Sequence, residues 1–85
     1  MPMFENELGK FRVLLALEGY RLTSIQGAVA QVAFAFPPPV SPRAVQSHLV
    51  RHFGMAVSLA TICRTLARLR DWELIRLSPG PENDP

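Results

Sequence analysis

The stretch Ser58-Leu59-Ala60-Thr61-Ile62-Cys63-Arg64-Thr65-Leu66-Ala67-Arg68 decides how this chain is read. Leu59, Ile62 and Leu66, continued by Leu69, recur at helical spacing and form one apolar stripe, while Ala60, Thr61, Arg64 and Arg68 fall together on the opposite side. Ser58 stands where an N-cap belongs, with a hydroxyl able to accept a backbone N–H of the first turn. The expected helix, residues 58–72, offers a buried seam on one side and small, hydroxylic and cationic groups on the other. Such a face suits a polyanion, and in particular the phosphates and base edges of DNA.

Charge is distributed in keeping with that face. The chain of 85 residues has a formal charge of only +2. Residues 1–41 are neutral, with Lys10, Arg12 and Arg21 matched by Glu5, Glu7 and Glu18. Residues 42–77 carry six arginines against Asp71 and Glu73, and the tail returns Glu82 and Asp84. The positive excess is therefore concentrated around the arginine-bearing helix, which favours a polyanionic partner. At this length one small domain is expected, and an apolar fraction of 48% argues against disorder over most of the chain.

The lone cysteine, Cys63, has no partner for an internal disulfide and points to a reducing, intracellular setting. The first residues lack the basic start and apolar run of a signal peptide. Gln26, Gly27 and Gln31 interrupt the apolar run from Ile25 to Phe36, which is too short to span a bilayer. A soluble cytoplasmic protein without a membrane partner is expected.

Working back toward the N-terminus, Phe4, Leu8, Phe11, Leu14, Leu15 and Leu17 predict a first helix from about Phe4 to Glu18, ended by Gly19. Thr23 or Ser24 can cap a second helix carrying Ile25, Val29, Val32, Ala33 and Phe36, apolar or small on nearly every face and so the expected centre of the fold. Pro37-Pro38-Pro39 stops it and acts as a stiff connector. Ser41-Pro42 pairs an N-cap with proline at the first helical position and starts a third helix, with Ala44, Val45, Leu49 and Phe53 inward and Gly54 at its end. The third and fourth helices with their short glycine-containing link have the pattern of a helix-turn-helix. Leu74 to Leu77 is apolar enough for a short strand, and Ser78 to Pro85 reads as a turn and a polar tail.

Two segments resemble the N-terminal winged-helix domain of the ferric uptake regulator (Fur) family of bacterial transcription regulators. Gly19-Tyr20-Arg21-Leu22-Thr23 is similar to the family's glycine, apolar, basic, apolar, threonine entry into its second helix. Ser58 to Leu66 is similar to its recognition-helix signature, with its Ala-Thr-apolar-Tyr-Arg core. The resemblance spans roughly residues 8–77. It implies a mainly α, winged helix-turn-helix fold of about four helices with a short C-terminal β wing, residues 1–77 forming the DNA-binding domain and 78–85 the tail. It also implies a transcriptional regulator, typically a repressor, that reads double-stranded DNA. By position, Arg64 becomes the base reader and Arg21, beside Thr23, the minor-groove or phosphate contact. Ser58 and Thr61 become phosphate contacts near the helix start, with Ala60, Cys63 and Arg68 on the same reading face. Physical chemistry agrees with the assignment of Arg64, since a guanidinium can bond guanine bidentately whereas a lone hydroxyl mainly fixes register.

The chain also departs from that pattern. Cys63 replaces a tyrosine that packs on thymine methyls, Gln26 replaces a basic residue, and Glu73 stands where a glycine usually follows the recognition helix. The sequence ends at Pro85, where the family's second wing strand and its dimerising, metal-sensing domain would begin, so no metal sensing is expected of these residues. A module this small meets few phosphates, and tight binding calls for a homodimer, or a heteromer with a related regulator, on two half-sites. The departures motivate an alternative, a protein-interaction module derived from a winged helix, with Phe34 or Phe36 at its interface.

Other groups carry less. His48 and His52 are spaced to share a metal, but a structural zinc site needs about four ligands and Cys63 is the only thiol, so solvated or phosphate-facing histidines are expected and no metal or cofactor. Cys63 is expected to be a small half-buried residue, and Trp72 a cover where helix meets strand. No nucleophile triad, carboxylate pair or phosphate loop is present, and an enzyme is not expected.

Overall fold

The computed structural model describes residues 5–76. It contains four helices, α1 (Glu5–Leu17), α2 (Ser24–Ala35), α3 (Pro42–Phe53) and α4 (Leu59–Asp71). Local chemistry sets most of their ends. Gly19, at φ 84°, turns the chain out of α1 while the Tyr20 N–H donates back to the Leu15 carbonyl at 2.8 Å. Thr23, the cap left open with Ser24, starts α2 in a reciprocal capping box. The Gln26 N–H donates to Thr23 Oγ1 at 3.1 Å and the Thr23 N–H to Gln26 Oε1 at 3.3 Å. Pro37 disfavours helical backbone at the residue before it, and Phe36 is extended at φ −84°, ψ 144°. Ser41 caps α3 with Pro42 in its first turn, and Gly54 closes it at φ 62°.

The α2 helix is the centre, packed against each of the other three helices. Its Val29, Ala30, Val32 and Ala33 meet Phe11 and Leu15 of α1, Val45 and Leu49 of α3, and Ile62, Leu66 and Leu69 of α4 in one buried cluster. Fully burying each of the larger aliphatic side chains contributes about 1.5–3 kcal/mol before the entropy of ordering the chain is subtracted. Trp72 covers one edge, its ring centroid 6.0 Å from that of Phe11 in an edge-on arrangement.

Several expectations about facing are corrected. Leu17, Ile25 and Phe53 are exposed, at 76%, 42% and 44%, and Ala44 is exposed too. Each lies in the first or last turn of its helix, where the neighbouring helix no longer covers the apolar side. Leu59 is only half-buried for the same reason, and Phe36 is half-buried just beyond α2 rather than within it.

The expected strand at 74–77 is not seen over its described part, and the wing beyond it falls outside the described residues. Over residues 74–76 no strand forms, and among the described residues there is no strand at all. Glu73 adopts a left-handed backbone, φ 59°, which folds the chain back after α4, and the Val40 N–H then donates to the Arg76 carbonyl at 2.7 Å. A strand requires a ladder of such pairings along its length. Leu74 and Ile75 instead pack side-on against the core. Phe4, Leu77 and the 78–85 tail lie outside the described residues. No helix among those described is long and apolar enough to cross a membrane.

Candidate nucleic-acid interface

The first turn of α4 is tied down by its own hydroxyls. Ser58 Oγ accepts the Thr61 N–H at 3.2 Å and donates to Thr61 Oγ1 at 2.9 Å. Arg64 Nη2 donates to the same Thr61 Oγ1 at 3.3 Å, and Thr65 Oγ1 donates to the Thr61 carbonyl at 3.0 Å. Upstream, Gln46 of α3 donates through Nε2 to the Val57 carbonyl at 3.0 Å, so α3 holds the segment leading into the cap. The Gly54 and Met55 N–H groups both return to the Leu49 carbonyl, closing the turn between the two helices.

The two arginines of the outer face are held differently. Arg64 is exposed and, among the described residues, bonded within α4 to Thr61, whereas Arg68 is half-buried, its guanidinium carbon 4.5 Å above the Tyr20 ring and 5.9 Å from that of Trp72. An arginine over an aromatic face gains about 0.5–1 kcal/mol at an exposed site. Tyr20 thus links the α1–α2 connector to the middle of α4. Neither Arg64 nor Arg68 forms an ion pair among the described residues, where the only such pair is Arg70 with Asp71 at 3.1 Å.

Between the start of α2 and α4 lies a cleft of about 280 Å³, lined by Thr23, Ile25, Gln26, Thr61, Arg64, Thr65 and Arg68. It unites Thr23, Thr61, Arg64 and Arg68 of the expected contact residues, and Ser58 adjoins it through its bond to Thr61. Ala60 is exposed on α4 outside the cleft, Cys63 is half-buried, and Arg21 is exposed on the connector. These three are not brought into the same recess. Sequence reading did not foresee the bonds and contacts by which Tyr20, Gln26 and Gln46 support this face. The Thr-x-x-Gln spacing of a capping box was legible at Gln26. The other two act across 48 and 11 residues of chain, and no local pattern announces them.

Of the two histidines expected to be solvated or phosphate-facing, His52 is exposed and His48 is less so. It is half-buried, edge-on to Phe36 with centroids 5.4 Å apart, and its ring lies 4.2 Å from that of exposed His52. Among the described residues no group of three or more His, Cys, Asp or Glu is placed to hold a metal ion. No family model, curated protein or solved structure matches the chain.

Proposed function

We propose that the chain binds double-stranded DNA through the outer face of α4, in the manner of a Fur-type winged helix acting in transcriptional control. One observation carries this reading: Arg64 and Arg68 stand one turn apart on a helix face whose adjoining cleft contains no carboxylate. Uncompensated guanidiniums beside hydroxyls are what a phosphate backbone requires. Gln46 of α3 holds the segment leading into α4, and Ala60 and Arg64 on the outer side of the helix are exposed. One such module alone binds weakly, and a second copy on a neighbouring half-site would raise affinity. Anisotropy of a labelled duplex, titrated with protein at several salt concentrations, tests the reading. Binding that weakens as salt rises and falls with Arg64→Ala supports it; no binding at 50 mM salt, or indifference to Arg64→Ala, removes it.

A second reading is favoured by a different groove, of about 420 Å³, where the end of α2 meets residues 73–76 and where Phe34, Phe36, Leu74 and Ile75 present apolar surface. There the chain would serve as a protein-interaction module. Light scattering and cross-linking decide between the two: a stable dimer cross-linked through residues at Phe34 or Phe36, with no DNA affinity, favours the second.

A further inference from the structure

We infer that Arg64 and Arg68 together grip a single backbone phosphate in the cleft between α2 and α4, so that Arg64 anchors the helix on DNA rather than reading a base. The inference rests on the duplex-binding reading and assigns these two residues their partner within it. Both arginines line one recess whose other wall is the start of α2, so an anion that enters it meets the two residues together. Arg64 is drawn back along its own helix by the bond to Thr61 Oγ1, away from the outward course a base reader needs. Arg68 lies with its guanidinium over Tyr20, which occupies the planar face and leaves the in-plane N–H edge for bidentate bonding.

Of the remaining polar side chains Gln26 and Thr61 keep donors, whereas buried Thr65 has given its hydroxyl proton to the Thr61 carbonyl. Gln26 Oε1 is taken by the Thr23 N–H, which leaves its amide N–H₂ to donate. Thr61 Oγ1 already accepts from Ser58 and from Arg64, which leaves its own proton. A recess that holds two guanidiniums, spare N–H and O–H donors and no Asp or Glu matches a group that only accepts, carries negative charge and is small. A phosphodiester is that group.

Counting released ions distinguishes one shared phosphate from two separate ones. The logarithm of affinity falls against the logarithm of salt with a slope of about 0.9 per phosphate contacted. With a shared phosphate, Arg64→Gln or Arg68→Gln alone leaves that phosphate in contact with the other arginine. Each single variant should therefore bind about tenfold more weakly on every duplex, with the slope unchanged. The double variant should then lose about 0.9 from the slope.

The experiment is anisotropy of three unrelated 20-base-pair duplexes between 50 and 200 mM salt, with circular dichroism melts of each variant. Arg68→Met, an unbranched apolar side chain able to pack against Tyr20 in place of the guanidinium, replaces Arg68→Gln should the latter unfold. Slopes that fall by about 0.9 in each single variant mean two phosphates and overturn the inference while leaving the duplex reading standing. So does an Arg64→Gln effect confined to duplexes carrying one particular base pair. Failure of the unaltered chain to bind any duplex overturns both.

Discussion

Glu73→Gly should make this protein more stable, although it removes a side chain and adds backbone freedom. Glu73 ends α4 with φ 59°, its N–H bonded to the Arg70 carbonyl at 2.9 Å and the following Leu74 N–H to the Leu69 carbonyl at 2.9 Å. This is the closing turn that glycine normally supplies, in which the reversed residue satisfies the last carbonyls and the next one returns to the core. An L-residue in the left-handed region costs about 1–2 kcal/mol because its Cβ crowds the carbonyl. Glycine relieves that, and gives back about 0.4–1 kcal/mol through its looser unfolded chain. The net gain of glycine over alanine at this position is about 0.5–1 kcal/mol, or roughly 2–8 °C in Tm for a chain of this size. Glu73→Ala is the essential control, since it removes the carboxylate from the negative end of the α4 dipole yet keeps the strained φ. Urea unfolding of the three proteins, with m-values checked for equality, measures the differences. If glycine proves no more stable than alanine, the strain argument is wrong. If alanine gains as much as glycine, the charge and not the backbone is responsible.

Gly54→Ala tests the converse at the end of α3. Nothing lies within 4 Å of the added Cβ, so the expected loss of about 1 kcal/mol in urea unfolding comes from the backbone at φ 62° alone. Gln46→Ala should cost about 1–3 kcal/mol by leaving the Val57 carbonyl without its side-chain donor, read as a lower urea midpoint. Leu66→Ala, at a fully buried position, should cost about 2–5 kcal/mol and bring the far-UV melt of so small a domain close to room temperature. Tyr20→Ala should reduce duplex affinity two- to fivefold, roughly the worth of an exposed cation–π contact. It should also lower Tm, by roughly 2–8 °C, because the same contact is lost from the folded chain.

The sequence by itself determined what is decided within one or two turns of chain. The caps at Ser41 and Ser58, a cap for α2 at Thr23 or Ser24, the reversals at Gly19 and Gly54 and the buried seam of Ile62, Leu66 and Leu69 all follow from neighbours three or four residues away, where the backbone bonds of a helix are also made. The same local reading expected a strand at Leu74 to Leu77, because an apolar run does not disclose whether a partner will lie alongside it. Only the tertiary structure decided that Leu74 and Ile75 cover the core, with the Val40 N–H bonded to the Arg76 carbonyl. It also decided that helix ends such as Leu17 and Phe53 stay exposed, and that Arg68 lies over a tyrosine 48 residues earlier in the chain. The outer face of α4 shows the division most clearly. Helical periodicity places Arg64 and Arg68 on one side of a helix, but whether they project outward or line a recess depends on what packs beside them. The start of α2 supplies that wall, and contacts between distant segments are set by how whole helices fit together rather than by any spacing along the chain.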